Sequence, residues 1–432
     1  METTPTSNES NDGRMIRALV CLMFFTFAMT TDAVGSVIPA VIAEFSLSMT
    51  AASAFQYATM AGIAAGALLL GFLADRFGRK RTVIVGLCLY GAASLVFAVS
   101  DRFGAFVMLL AVSGLGISVF KIGALALVGD VSASTTSHTR FMNTIEGFFA
   151  VGAIVGPAVV ATLIAQGLSW KWLYVAAAAI CVLLVAMASR VRYPDTTKGA
   201  TERATLREMV SVLRDPVALG VSALVMLYVA VEVAVYVWMP TYLLGYGGSF
   251  AWLPAYALTL FFVLRAAGRF LGAWLLAHVS WTPALAIVGG AIFLCFLGSL
   301  WFGVDAAAWL LPISGLFMSI VYPTLNSKGI SCFPKSQHGA AAGVILFFTA
   351  AAAALGPLAM AAISDAYGTT EAGFVLATVF AFLLLAGLAG NWLLDPFGRR
   401  LQASDRDDYA GAQAASTALP HATPVSAPDP PK

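Results

Sequence analysis

Seven charged residues stand inside long apolar stretches of this 432-residue chain: Asp32, Lys121, Glu146, Glu232, Arg265, Arg269 and Lys328. On insertion scales a charge at bilayer depth costs at least about 2.5 kcal/mol. Each therefore needs a partner, a water-filled cavity or a neutral protonation state. Glu232 sits in Leu227-Tyr228-Val-Ala-Val-Glu232-Val-Ala-Val-Tyr236-Val-Trp238. A carboxyl in so apolar a string is suited to carrying a proton; the alternative is a structural carboxyl paired with a cation such as Arg265. Asp32, in Thr30-Thr31-Asp32, is the second candidate for proton coupling, or a carboxyl hydrogen-bonded to neighbouring helix hydroxyls. Lys121 can bind an anionic solute, or neutralise Asp32 or Glu146. Arg265 joins it as a candidate solute ligand. Tyr236 and Trp238, near Glu232, are placed to line a cavity. Glu146 shares a helix face with Asn143 and reads best as a solvated or loop-paired acid, with Arg269 available for structural pairing. Lys328 can snorkel toward water.

The elements that must hold these groups are apolar helices. Of the residues, 60% are hydrophobic and 11% charged, and mean hydropathy is +0.86. A soluble domain carries about 25% charged residues. An all-α membrane protein follows, with 12 spans at roughly 16–44, 51–74, 82–100, 104–130, 141–166, 171–190, 217–244, 250–276, 282–302, 307–331, 339–364 and 372–395. With both termini in the cytoplasm, two of the 24 Lys and Arg residues (Arg102, Lys171) fall outside and four at membrane depth, leaving 18 inside. That asymmetry orients the chain. The expected organisation is a cytoplasmic N-terminal tail at 1–15, six helices at 16–190, a polar cytoplasmic loop at 191–216, six more helices at 217–395, and a cytoplasmic tail at 396–432 too polar to bury a core. Ser113-Gly114-Leu115 recurs as Ser314-Gly315-Leu316, and Gly156-Pro157 as Gly356-Pro357, offsets of 201 and 200. One shared offset for two unrelated landmarks indicates an internal repeat.

Several classes are excluded. The basic residues lie in short loops, which argues against nucleic-acid binding. The five cysteines are isolated, as small buried residues are, so neither disulfides nor a metal site are expected. No nucleotide loop or nucleophile motif is present, so the chain does not read as an enzyme and no cofactor is expected. Trp170, Trp172, Trp252, Trp281, Trp301 and Trp309, near span ends, read as interface anchors.

Between the second and third spans stands Gly71-x-x-x-Asp75-Arg76-x-Gly78-Arg79-Lys80-Arg81. It resembles the loop signature of the major facilitator superfamily, with every key position filled. The resemblance implies two pseudo-symmetric six-helix halves that rock about a central cavity. It also implies that Asp130, at the end of the fourth span, joins Asp75 and Arg79 in a cytoplasmic charge latch that favours the outward-open state. Tyr228-Val-Ala230-Val-Glu232 and Ser319-Ile-Val-Tyr322-Pro323-Thr324 resemble the seventh and tenth helices of the fucose–proton symporter branch. That branch also has an acidic residue in its first helix, as Asp32 is here, but a glutamate near the place of Lys121. Gly152-x-x-x-Gly156-Pro157 resembles part of a proton-antiporter signature, although Val159-Val160 and Leu110-Ala111 depart from that pattern.

These readings converge on a proton-coupled secondary active transporter in the bacterial inner membrane, working as a monomer and driven by the proton gradient. It would move a small polar organic solute, sugar-like or an organic acid. Efflux of a drug or siderophore is the second reading, and a non-transporting membrane sensor the third.

Overall fold

Each of the 12 expected spans holds helix in the computed structural model, which describes residues 7–70, 77–131, 135–193, 211–333, 337–398 and 400–401. The helices are α1 (Ser7–Thr31), α2 (Val34–Phe45), α3 (Met49–Ala52), α4 (Ala54–Leu70), α5 (Arg79–Val99), α6 (Phe103–Asp130), α7 (Thr135–Ala165) and α8 (Trp172–Arg190). The second half follows with α9 (Pro216–Tyr242), α10 (Leu253–His278), α11 (Trp281–Trp301), α12 (Val304–Met318), α13 (Val321–Ser331), α14 (His338–Tyr367) and α15 (Thr370–Leu394). Eleven helical segments among the described residues are long and apolar enough to cross a membrane. The remaining expected span is α4, whose continuation at 71–74 lies outside the described residues. The chain is an integral membrane protein.

Two spans are broken near their middles. The first turns at Asp32 and Ala33, between α1 and α2. The tenth breaks at Ser319 and Ile320, between α12 and α13. Pro323 explains the second break: it has no N–H to give, and its ring crowds the carbonyl four residues back, at Ser319.

The repeat is visible in the packing. In the first half α1 packs on α7 and α8, α5 on α6 and α8, and α4 on α6; in the second, α9 packs on α14 and α15, α11 on α12 and α15, and α10 on α12. The repeated glycines sit at matching contacts. Gly156 of α7 lies on the Met29 carbonyl of α1, and Gly356 of α14 lies on Ala230 of α9. In both places the absence of a Cβ lets two backbones approach.

The chain crosses back and forth, so one face carries the start of α1, the end of α8 and the start of α9, and the distal face carries residues 46–48, 100–102, 166–171 and 243–252. The halves meet through α2 on α9 and α10, α7 on α10, and α3 and α4 on α14. Several of these contacts are distal. The Asp365 carboxylate of α14 accepts the backbone N–H groups of Met49 (2.9 Å) and Thr50 (2.8 Å), at the N-terminus of α3. The hydroxyls of Thr162 and Tyr256 are 3.2 Å apart. Gly35 of α2 lies directly on the Tyr236 carbonyl of α9. By contrast α1 packs on α6, α7 and α8 of its own half. The Asp32 turn is therefore the level at which the first span passes from its own half onto the other.

At the distal end of the first half, Lys171 donates to the Ser100 carbonyl (2.8 Å) and Asp101 (2.9 Å), with Glu44 at 3.9 Å. Beneath it Phe55, Phe97, Phe106 and Tyr174 pack around Trp170. Trp170, expected at the membrane interface, is buried here, because its ring fills the middle of that cluster. Trp172, Trp252 and Trp301 are exposed as interface residues are.

Candidate functional site

Glu232 and Arg265 meet. The Arg265 guanidinium of α10 forms a salt bridge with Glu232 Oε1 of α9. The Glu232 side chain is 9% exposed and that of Arg265 25% exposed. Tyr228, one turn before Glu232, donates to Glu232 Oε1 at 3.0 Å, and its hydroxyl also lies 2.9 Å from the Met318 carbonyl. Met318 ends α12 at the break, where a carbonyl loses its helical partner. The proline break in the tenth span thus supplies an acceptor that fixes Tyr228, and Tyr228 with Arg265 fixes Glu232. Arg265, the cation named as an option from the sequence, is the ion-pair partner of Glu232.

Asp32 lies at the turn between α1 and α2, half-buried. The neighbouring hydroxyls are used elsewhere: Thr31 bonds the Phe27 carbonyl at 3.0 Å, and Thr30 meets the Tyr90 hydroxyl at 2.6 Å. The hydroxyl-bonded reading of Asp32 therefore fails for these two threonines. Asp32 is within electrostatic reach of Arg265, Glu232 and Lys121. Lys121 of α6 holds its ammonium over the rings of Phe24 (5.6 Å) and Phe27 (5.1 Å) of α1. Phe149 packs against Phe27 at 5.5 Å. Among the described residues neither Asp32 nor Lys121 is in an ion pair. Glu146 of α7 and Arg269 of α10 face each other at 3.9 Å, both close to half exposed, so this pair spans the two halves.

Tyr236 belongs to the same region. Its hydroxyl accepts from Gln56 Nε2 at 3.4 Å, linking α9 to α4. Trp238 does not: it is fully buried, and its Nε1 donates to the Pro357 carbonyl of α14 at 3.0 Å. Two residues further along α9, it faces a neighbouring helix of its own half.

The expected latch falls largely outside the description. Asp75 lies outside the described residues, as does the side chain of Asp130. Arg79 opens α5 behind Gly78, whose φ of 81° suits glycine. Lys80 donates to the Ser189 carbonyl at 2.6 Å, so part of this string caps the end of α8. An apolar hollow of about 510 Å³ lies between α1 and α7, lined by Leu22, Phe25, Thr144, Gly147, Phe148 and Val151. None of the charged set lines it, so the chemistry lies elsewhere.

Sequence reasoning did not select Gln56, Tyr228 or Asp365. Tyr228 and Glu232 are four apart on one helix face, a spacing that could have paired them. Gln56 was legible as a lone amide in an apolar run. Nothing local joins Asp365 to the start of α3, 316 residues away in sequence.

The arrangement is two ion pairs, each reaching from α10 to another helix, with Asp32, Lys121 and Lys328 outside any ion pair among the described residues. The sequence matches the Major Facilitator Superfamily over residues 20–357. It is 25% identical over 403 residues to a glucose/galactose transporter of Brucella abortus, covering 90% of this chain and 97% of that protein. It is 24% identical over 381 residues to a putative niacin/nicotinamide transporter of Bacillus subtilis, covering 84% of this chain and 90% of that one. Among solved structures, an inward-facing, occupied bacterial homologue of the human lysosomal transporter Spinster superposes with a TM-score of 0.72 at 15% identity, over 93% of this chain and 99% of that chain. The Escherichia coli fucose:proton symporter FucP, in its outward conformation, gives 0.60 at 20% identity, over 88% of this chain and 99% of that chain. The broken spans, the repeated packing and this match agree: the chain belongs to the Major Facilitator Superfamily.

Proposed function

We propose that the protein is a proton-coupled secondary active transporter that moves a small polar organic solute across the bacterial inner membrane by alternating access, both termini being cytoplasmic. The observation that carries this reading is the charged set at the level of the Asp32 turn, where α1 belongs to one half and α2 leans on the other. A static scaffold gains nothing from charges that cost this much at membrane depth. A machine whose halves rock can use them, because rocking changes what each charge faces. Glu232 and Asp32 are the proton-coupling candidates. Lys121, Arg265 and Tyr236 are the solute candidates, while Trp238 packs the second half. With the termini inside, the distal contacts hold the two halves together at the outer face. Relatives named as carriers of sugars and of niacin or nicotinamide support a small polar solute.

The test is uptake by proteoliposomes under an imposed pH gradient, with a panel of sugars, organic acids and their amides. Wild type accumulates at least one solute. Glu232→Gln and Asp32→Asn lose accumulation and keep correct folding. Unchanged accumulation by both variants refutes the coupling role, and no movement of any solute refutes the transporter.

A further inference from the structure

The string Asp75-x-Phe77-Gly78-Arg79-Lys80 returns near the other end of the chain as Asp395-x-Phe397-Gly398-Arg399-Arg400. The internal repeat does not place it there. At the offset of 200 that relates the halves, residues 275–280 read Leu-Leu-Ala-His-Val-Ser, with no acid, lysine or arginine. The second copy follows the last span instead. Its final residue is used as the final residue of the first copy is used. Lys80 donates to the Ser189 carbonyl at the end of α8 (2.6 Å) and lies 5.8 Å from the centre of the Tyr193 ring. Arg400 donates to Asp215 Oδ2 at the start of α9 (2.6 Å) and lies 5.6 Å from the centre of the Phe333 ring. We propose that residues 395–401 are a strap that fastens α13, the half of the tenth span away from the distal face, to α9, with Arg400 as its catch. Releasing the strap lets α13 swing about the break at Ser319 and Ile320, as a gate on the approach to the Glu232–Arg265 pair. The purpose of such a gate rests on the transporter reading; its geometry does not.

The strap is built from local chemistry. α15 ends at Leu394, and Asp395 takes a left-handed conformation (φ 45°), which stops the helix. Asp395 Oδ1 accepts the Gly398 N–H at 3.2 Å, and a Cβ at position 398 would strike that carboxylate, so glycine is required there. The turn carries the chain across the ends of α9 and α13. Phe397 is buried, with its ring over Gly220 of α9, and Leu401 packs against the core of the same half. Asp215 serves two partners. Its Oδ1 caps α9 by accepting the N–H groups of Val217 (2.8 Å) and Ala218 (3.4 Å), and its Oδ2 takes Arg400.

α13 needs such a strap because it is short. It holds 11 residues, and at its start the backbone leaves the helix, with Pro323 withholding an N–H. The break is itself pinned, since Tyr228 of α9 bonds the Met318 carbonyl on the α12 side of it (2.9 Å). From there α13 runs down α9 along one seam. The rings of Tyr322 and Tyr228 stand 6.4 Å apart, Gly329 lies directly on Val221, and Arg400 joins Phe333 to Asp215 at the end. α13 is thus a lever with a pinned hinge and a fastened tip. The catch is reachable from water: the Arg400 side chain is 44% exposed and that of Asp215 18%. A pair so placed is held weakly enough to open and close, while the buried Phe397 keeps the strap on its own half.

The test follows α13 in the purified full-length chain in detergent, with its own cysteines. Cys332, beside Phe333 at the tip of α13, is buried, as are Cys21, Cys181 and Cys295. Maleimide labelling is read cysteine by cysteine by mass spectrometry. Arg400→Gln speeds labelling of Cys332 by about tenfold and leaves the other three unchanged. Arg400→Lys keeps the charge, loses the flat face over Phe333 and falls between. Phe397→Ala removes the buried wedge and gives a larger rise than Arg400→Gln. Spin labels at Leu219 of α9 and Ser327 of α13, both exposed, show one distance in the wild type and a second, longer one in Arg400→Gln. Unchanged Cys332 labelling, or an unchanged distance, overturns the strap. So does a rise of Cys332 in step with Cys295, because that is loosening of the whole half and not the swing of one helix. No solute enters these measurements. A chain that moves no solute refutes the transporter and leaves the strap standing, and an unmoved Cys332 does the reverse.

Discussion

Cutting the Glu232–Arg265 pair from each side, and from both sides at once, tests the centre of this structure. Arg265→Gln strands a carboxylate whose side chain is 9% exposed, with the Tyr228 hydroxyl at 3.0 Å as its remaining donor. Removing one partner of a buried ion pair costs about 3–5 kcal/mol, and the lower end, about 3 kcal/mol, applies here because Tyr228 stays. Glu232→Gln strands Arg265 instead. That side chain is 25% exposed and can turn toward water, so about 2 kcal/mol is expected. The double variant strands no charge. Its cost falls short of the sum by about 2 kcal/mol, within the range measured for residues in direct contact. The reporter is built in: Cys21, Cys181, Cys295 and Cys332 are buried and react with a fluorogenic maleimide only as the fold opens, while the exposed Cys88 is removed as Cys88→Ser. Unfolding curves in detergent give the four stabilities of the cycle. Costs that add within about 0.5 kcal/mol would show that the two side chains do not hold each other, and the reasoning from this pair would fall.

Three further outcomes follow from contacts between helices. Asp365→Asn turns two bonds to a carboxylate into bonds to a neutral amide at an exposed site, which weakens distal closure by up to about 1 kcal/mol, a fivefold shift toward the open state. Spin labels at Leu168 and Tyr367, exposed distal positions in opposite halves, then report longer distances, and an unchanged distribution would remove Asp365 as a latch. Gly35→Ala places a methyl against the Tyr236 carbonyl, so the outer face cannot close. Turnover should fall at least about tenfold with solute binding retained, because rocking and not recognition is blocked; wild-type turnover would contradict that close approach. Trp238→Phe loses the 3.0 Å bond to the Pro357 carbonyl and should cost about 1 kcal/mol of stability with KM unchanged. A tenfold rise in KM would return Trp238 to the solute site.

The spans were legible because hydropathy is a local property: each run reports its own cost of leaving water, whatever its neighbours are. Gly156-Pro157 and Gly356-Pro357 were legible as a repeat for a similar reason, since two copies of one contact need the same small residue. The partners of the charges were not legible to that degree. Arg265 was a named option for Glu232, and the structure selects it. The alternative offered for Asp32 was neighbouring hydroxyls, but Thr30 and Thr31 turn to Tyr90 and to the Phe27 carbonyl. Trp238 read as cavity-lining because it is near Glu232 in the string. Six residues along a helix turn a side chain well over a full turn, and that rotation sent it to Pro357.

From the order of residues alone came a membrane protein of apolar helices, its repeat, its orienting cation bias and the short roll of residues that can move charge. Those follow from composition and spacing, which exist before the chain folds. Only the tertiary structure decided which acid meets which cation, that Tyr228 reaches the Met318 carbonyl at the end of α12, and that Asp365 closes on a helix start 316 residues away. Pairing is a property of two helices at once, and which helices touch is set by how the whole bundle buries its backbones and small residues.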